Sequence, residues 1–558
     1  MHSLMIILCL MIFGMSTTAY ATPIPTPKPV KQEELIVIPP HPNEDPSFSL
    51  EENPPVKAVM PLTNSEADLY REVFRLIEQD DIRQANQLIE KIDNPILIEY
   101  VYATRDGKAL PRQRSQIQGT MDDLRYFAKG SKYISEKYTG GQRYELRLVK
   151  QEIARYLNRS AATAALSYFN NHRVQAYIDP IDKSQILAEI AARYLYLDRP
   201  EKARRTAERA LKASEQAPLA GWVLGLGSWM RGDMVDATRY FTIAANAPYA
   251  SPWMTAAASY WGARAATRAK LFREVSPLLA MAVRNQRTFY GLIATKALGY
   301  GFDFNWTMPQ YTNRHKDRLY THPVGGKAVA LVELGLYELA EDILFTLPVK
   351  TDPKMAEAAI AFAHHHNLAG YAMRFSSAMP NPAGGYYDAG LFPISGWTRD
   401  SDDKALVNAY IRQESRFRTR ARNGTGATGL MQIMPETAAF ITEDGRYKAI
   451  GGQALLINPR TNVEIGEDYL NHLMGLEAVD NDLFGMAIAY NAGPGNLRKW
   501  KNNLQVEDPL LFIELLPTSE TRAFVERVAT NYWIYQMQMG IEPTTLTAVA
   551  QGDWPKVD

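Results

Sequence analysis

Leu197-Asp198-Arg199-Pro200-Glu201-Lys202-Ala203 runs on to Ala210, and Met230-Arg231-Gly232-Asp233-Met234-Val235-Asp236-Ala237 runs on to Ala244. Both alanine pairs are offset by 34 residues, the period of a tetratricopeptide-like helix pair. Alanine suits places where two antiparallel helices approach closely, since a larger side chain would push them apart. Looser echoes stand at Asp81-Ile82-Arg83-Gln84-Ala85 and at Gly335-Leu336-Tyr337-Glu338-Leu339-Ala340. Around them, from about Asn64 to Met379, the chain is rich in Ala, Leu, Arg and Glu and poor in period-two alternation. Leu69, Val73, Leu76 and Ile77 fall at i, i+4, i+7 and i+8, one face of a helix. The regular period holds only once, so the expectation is a superhelical array with irregular spacing. Such an array is a scaffold, or a concave surface for a substrate or partner.

The whole chain has 558 residues, 61 Lys+Arg against 61 Asp+Glu, and one cysteine. That length predicts several domains. The charge balance argues against a polybasic coat for nucleic acid, and one cysteine excludes a disulfide framework or Cys-rich zinc site. Leu4–Gly14 is an apolar run followed by Ala19-Tyr20-Ala21, the pattern of a cleavable signal peptide over residues 1–21, although Met1-His2-Ser3 carries no Lys or Arg. Cys9 follows bulky Ile6-Ile7-Leu8, which disfavours lipid attachment. Residues 22–62 hold a third of the 33 prolines and read as an extended linker. No later stretch is long and apolar enough for a transmembrane anchor, so an exported, soluble protein is expected. His364-His365-His366 invites a metal assignment, but adjacent helical residues diverge and no acidic or Cys partner stands at i+4. No metal and no cofactor is expected.

After Trp397 glycines cluster. Lys404 to Arg416 reads as a helix in which Val407, Tyr410, Ile411 and Glu414 share a face. A carboxylate on the buried side of a helix is costly when ionised, so its pKa rises toward that of a working general acid. Arg412 and Arg416 point away from it. Taken alone, a buried Glu paired to a neighbour is the better reading of this helix. Beyond it, Gly424-Thr425-Gly426-Ala427-Thr428-Gly429-Leu430-Met431-Gln432-Ile433-Met434-Pro435 supplies tight turns, an amide at Gln432 and an adaptable apolar wall at Met434, with Pro435 opening a helix. Leu483, Met486, Ala487 and Tyr490 share a helix face that Asn491-Ala492-Gly493-Pro494-Gly495 terminates, which leaves the Tyr490 hydroxyl available to a cleft. Glu520 sits at a helix start, where the dipole favours a carboxylate.

Arg412-Gln413-Glu414-Ser415 and Gly426–Pro435, followed in order by Asn458–Asn462 with Gly466–Leu470, Ala487–Gly495 and Glu520-Thr521-Arg522, resemble the signature of the soluble lytic transglycosylases, glycoside hydrolase family twenty-three. Tyr260–Arg264 and Phe289-Tyr290-Gly291 are similar to the end of the superhelical domain in large members. The resemblance implies an all-α chain with an N-terminal α-superhelical, tetratricopeptide-like domain over 63–300. A helical linker domain would follow over 301–395, then a lysozyme-like catalytic domain over 396–540 and a C-terminal tail over 541–558. It implies a periplasmic enzyme acting on peptidoglycan strands, with cell-wall synthesis or remodelling proteins as possible partners of the array.

By the same resemblance Glu414 is the catalytic acid, and Asn423, Gly426, Gln432, Met434, Tyr490, Asn491 and Glu520 contact substrate. Asn423 stands where better-known members often carry Ser. Glu414 would protonate the glycosidic oxygen between N-acetylmuramic acid and N-acetylglucosamine, then as a carboxylate deprotonate the muramyl 6-hydroxyl, closing a 1,6-anhydro ring. A lysozyme-like hydrolase is the nearest rival and needs a second carboxylate, for which Asp402 and Asp403 are candidates. A non-catalytic glycan-binding scaffold is the other. Arg416, Arg418, Arg420 and Arg422 are either contacts for peptide-stem carboxylates or a solvated basic loop.

Overall fold

The computed structural model describes residues 60–108, 137–379, 385–398 and 404–557. The expected leader with Cys9, residues 22–59 of the Pro-rich segment, and Asp402 and Asp403 lie outside them. Helices carry the described residues throughout, and the only ladder-type pairings among them are isolated bridges such as Arg422 with Thr428 and Thr428 with Ile433.

Seven helices form the middle of the array: α1 (Pro180–Tyr196), α2 (Pro200–Ala213), α3 (Pro218–Met230), α4 (Met234–Asn246), α5 (Pro252–Arg268), α6 (Phe272–Val283) and α7 (Phe289–Ala297). Proline opens four of them, where its missing N–H costs nothing and its fixed φ suits the first turn. Ala203, Ala210, Ala237 and Ala244 are all buried. The helices there do approach closely: a Cβ on Gly221 would lie 2.8 Å from the Tyr240 carbonyl oxygen and 3.2 Å from the Ala244 Cβ. Ala85 and Ala340, in the looser echoes, are fully buried too.

The backbone reveals the repeat more widely than the alanines do. Asp80, Ser160, Asp198, Gly232, Lys270, Gly335 and Asn367 all take positive φ between consecutive helices. Five residues after each stands Ala85, Ala165, Ala203, Ala237, Val275, Ala340 or Ala372. One left-handed residue turns the chain, and one small residue seats the returning helix.

Residues 64–105 share a core with residues 319–387 and not with the array that follows them in sequence. Tyr70, Val73, Phe74 and Val101 pack there with Leu331, Ile360 and Phe362. Lys327 with Glu99 (2.5 Å) and Arg71 donating to the Glu333 carbonyl (2.9 Å) flank that core. Thr63 and Glu66 cap the helix Asn64–Glu78 reciprocally, and Val73, Leu76 and Ile77 are buried on its expected face. His364 and His365 are exposed, and the half-buried His366 leans on the Phe362 ring at 4.6 Å.

The C-terminal region is built from α8 (Lys404–Glu414), α9 (Pro435–Thr442), α10 (Pro459–Met474), α11 (Leu483–Ala492), α12 (Ser519–Gln538) and α13 (Thr544–Gln551). It is fastened to the array by α7: Phe289 stacks on Trp533 at 5.4 Å, and the Tyr290 hydroxyl donates to Glu514 at 2.5 Å. Gly291 is obligatory there, since a Cβ would fall 2.0 Å from the Asn285 carbonyl oxygen. That gives the Phe289-Tyr290-Gly291 block a packing reason. The stretch after 540, expected as a tail, instead forms α13 and packs inward, with Leu546 and Val549 buried and Thr545 accepting from the Trp533 indole at 2.8 Å.

Candidate active site

Glu414 is the last residue of α8. The helix was expected to continue to Arg416, but Arg416 and Phe417 take φ of +55° and +62°, which ends it two residues earlier. The carboxyl therefore sits at the negative end of the helix dipole. No hydrogen-bond or ion-pair partner holds it among the described residues. Burial, reinforced by the negative charge of Glu520, pushes it up to about 8 from an ordinary 4.5. Its side chain nonetheless keeps partial contact with solvent. A group that is protonated at neutral pH, unpaired and still reachable is equipped to deliver a proton.

Arg412, two residues back, does not quench this. Its guanidinium donates to the Leu391 carbonyl (2.9 Å) and to Asn531 (2.7 Å) and lies 4.1 Å over the Phe392 ring, on the far side of the helix. Tyr410 is fully buried four residues before Glu414, and its hydroxyl has no hydrogen-bond partner among the described residues.

An aromatic group supports the acid. Tyr490 on α11 packs 4.6 Å from Tyr410 and 5.2 Å from Tyr469, and stacks with Phe524 at 6.2 Å. Burial, and after it the Glu414 charge, raises the Tyr490 phenol well above its usual range, so it stays neutral. Its hydroxyl is not left open to a cleft as the sequence suggested. It donates to the Met431 carbonyl at 2.7 Å, tying α11 to the glycine-rich loop.

That loop is internally wired. Asn423 Oδ1 accepts the N–H groups of Thr425 (3.0 Å) and Ala427 (2.9 Å) and the Thr425 hydroxyl (2.8 Å), so its carbonyl shapes the turn while its exposed amide faces outward. Gly426 takes φ +104°, which only glycine adopts freely. Gln432 spends its amide hydrogens on the carbonyls of Ala421 (3.0 Å) and Gly429 (2.9 Å), leaving its carbonyl oxygen for a ligand donor. Met434 is half-buried at the start of α9. Asn491 accepts from the Thr521 hydroxyl at 2.7 Å and so joins the end of α11 to the start of α12, where Glu520 is exposed in the first turn. Tyr490 and Glu520 thus each come within electrostatic reach of Glu414. Asn423, Gly426 and Gln432 lie on the loop pinned beneath them.

The four arginines after Glu414 do not act as one patch. Arg420 pairs with Glu338 at 2.7 Å, Arg418 donates to the Ser415 carbonyl at 3.2 Å, and Arg422 is exposed.

Asn462 stands in the Asn458–Asn462 block but received no role from the sequence. Fully buried on α10, it donates to the carbonyls of Thr428 (2.9 Å) and Leu456 (3.0 Å) and accepts the Met431 N–H (2.8 Å). A Cβ on Gly429 would lie 2.3 Å from its amide, and one on Gly466 would lie 2.1 Å from the Met431 sulfur. The detectable signal was the i, i+4 pair Asn462 and Gly466, an amide and a gap on one helix face. Gln453 adds donors to the Gly426 carbonyl (2.7 Å) and the Thr428 hydroxyl (2.8 Å).

Residues 394–511 match the Transglycosylase SLT domain family. The soluble lytic murein transglycosylase of Escherichia coli (strain K12) is 37% identical over 150 residues, 27% of this chain and 23% of that protein. A putative soluble lytic murein transglycosylase of Haemophilus influenzae is 28% identical over 268 residues, 46% of this chain and 43% of that protein. The matches therefore span less than half of these relatives' length. Among solved structures, an inactive mutant of the lytic transglycosylase Slt from Pseudomonas aeruginosa superposes with a TM-score of 0.55 at 19% identity, covering 88% of this chain and 74% of that one. A 70-kDa soluble lytic transglycosylase complexed with bulgecin A gives a TM-score of 0.55 at 16% identity, covering 89% and 100%. The expected all-α fold class, a helical array ahead of a lysozyme-like region, is the one these structures share.

Proposed function

We propose, from the transglycosylase SLT domain that its C-terminal region carries, that this protein is a peptidoglycan lytic transglycosylase. It cleaves the β-1,4 bond from N-acetylmuramic acid to N-acetylglucosamine and leaves 1,6-anhydro ends. The observation that carries this reading is Glu414, a largely buried carboxyl at the end of α8 with no hydrogen-bond or ion-pair partner among the described residues, which burial pushes up to about 8.

Glu414 protonates the glycosidic oxygen as the bond breaks. The N-acetyl carbonyl of the substrate then covers the anomeric carbon, so the protein need not supply a nucleophile. Glu414, now anionic in a site that disfavours its charge, removes the proton of the muramyl 6-hydroxyl, which attacks that carbon and closes the ring. The proton count closes: the one given to the leaving sugar is regained from the hydroxyl, and no water is consumed. General acid–base assistance of this kind contributes about 10²–10⁴-fold in rate. Asn423, Gly426, Gln432 and Met434 would line the sugar path from the loop side, with Tyr490, Asn491 and Glu520 opposite. Residues 1–21 would direct export to the periplasm, and the array would meet strands or cell-wall partners.

A second reading rests on Glu520. Its charge reaches Glu414, so it could position a water molecule and make the enzyme a hydrolase. Digestion of purified peptidoglycan separates the two: anhydro products are one water lighter than hydrolytic ones. Glu414→Gln should abolish cleavage and retain glycan binding; retained cleavage would refute the role of Glu414.

A further inference from the structure

A cavity of about 260 Å³ lies behind the catalytic helix, between the array and the C-terminal region. Arg284 and Arg287 come from the α6–α7 connection, Arg412 and Arg416 from the end of α8, and Arg527 from α12. No acidic side chain is among its lining residues. Arg287 is neutralised from behind by Asp388, through bonds of 2.7 and 2.6 Å. Arg412 has no such relief: among the described residues it meets only neutral acceptors and a ring. Burial lowers its guanidinium to about 10, and the positive charge of Arg527 works in the same direction. Arg284 is exposed at the rim with no hydrogen-bond or ion-pair partner among the described residues. Neutral donors complete the wall: Gln286 uses its carbonyl on the Asp303 N–H (2.9 Å), which leaves its amide hydrogens, and Gln413 lies beside Arg412.

Arg284 and Arg412, which meet no carboxylate among the described residues, face a half-enclosed space whose lining carries no acidic side chain, and an entering anion would relieve their charge. The planar fork of arginine, with two donors in parallel, matches a carboxylate in particular. We propose that this cavity is a second binding site, distinct from the Glu414 face, for a small ligand bearing two or more carboxylates. Its occupant bridges the array, through Arg284, to Arg412 and Arg416 in the turn that ends the catalytic helix. Such chemistry is offered both by free polycarboxylates and by the peptide stems of peptidoglycan.

The full chain is titrated calorimetrically at 50 mM NaCl with citrate and, separately, with the tripeptide L-Ala-γ-D-Glu-meso-diaminopimelate. The expected result is saturable one-site binding of at least one probe, weakened about tenfold or more by Arg284→Ala and by Arg412→Gln and unchanged by Arg498→Ala on an exposed helix face. Arg284→Ala keeps the test meaningful if Arg412→Gln unfolds, because the Arg284 side chain is exposed at the rim. Binding of the tripeptide alone assigns the site to peptide stems, binding of citrate alone to free polycarboxylates, and binding of both to the shared chemistry. No binding of either probe, or equal affinity in Arg284→Ala, overturns the proposal.

Discussion

Glu414 should remain protonated through neutral pH, and the activity profile should show it. A carboxyl moved from 4.5 to about 8 has its protonated form favoured by about 5 kcal/mol. At pH 7 about 90% of the molecules then carry the acid, against about 0.3% for an ordinary glutamate, a difference of about 300-fold in competent enzyme. On a soluble glycan substrate, log kcat/KM should therefore lose no acid form below pH 7 and fall with unit slope above about 8. The perturbing variant is Glu520→Gln. Removing that charge takes away the smaller of the two causes, so the break should move to lower pH while burial keeps it well above the ordinary value. The same shift has a stability signature. The folded state holds the proton more tightly than the unfolded chain, so stability is greatest below the unfolded pKa and is lost as pH rises through about 8. Glu414→Gln should thus raise Tm at pH 9 more than at pH 5, by less than the 5 kcal/mol ceiling because part of the side chain reaches solvent. A basic limb that already breaks near pH 5, or a Tm gain independent of pH, would refute the reasoning.

Other perturbations follow from the packing. Asn462→Ala removes three buried hydrogen bonds and strands backbone groups of the glycine-rich loop, so a loss of about 3 kcal/mol in chemical denaturation is expected, with activity falling further than stability. Gly466→Ala drives a methyl into the Met431 sulfur and should slow turnover of purified peptidoglycan while leaving the far-ultraviolet circular dichroism unchanged. Glu526, fully buried on α12, has no hydrogen-bond partner for either carboxyl oxygen among the described residues, and burial together with neighbouring Glu514 raises its pKa well above normal. Its folded form also favours the proton, so stability drains as pH rises above the unfolded value. Glu526→Gln should raise Tm at pH 8 more than at pH 5, and an unchanged Tm difference across that range would contradict it.

Which parts were legible in the sequence follows from what each residue type can reveal. Ala203, Ala210, Ala237 and Ala244 announce close helix packing because only a small side chain fits there. The wider repeat stayed hidden because its constant feature is a backbone angle. Ser160 and Lys270 adopt left-handed φ here just as Gly232 does, and Val275 replaces the usual alanine. Glu414 was legible from its i+7 spacing behind Val407, since periodicity fixes which face a helical residue shares. The roles of Gln432 and Tyr490 were not, because an amide or hydroxyl declares its chemistry and not its partner. Their donors go to the carbonyls of Ala421, Gly429 and Met431, positions that only the folded loop brings within 3.0 Å. The arginines of the cavity come from three segments more than a hundred residues apart, and no local pattern links them.

The most direct test is the mass of the muropeptides released from purified peptidoglycan by the full chain and by Glu414→Gln. The single-acid mechanism predicts anhydro-muramyl ends, one water lighter than hydrolysis products, from the unmodified protein and no release by the variant. Reducing muramyl ends, or anhydro ends released at an undiminished rate by Glu414→Gln, would contradict it.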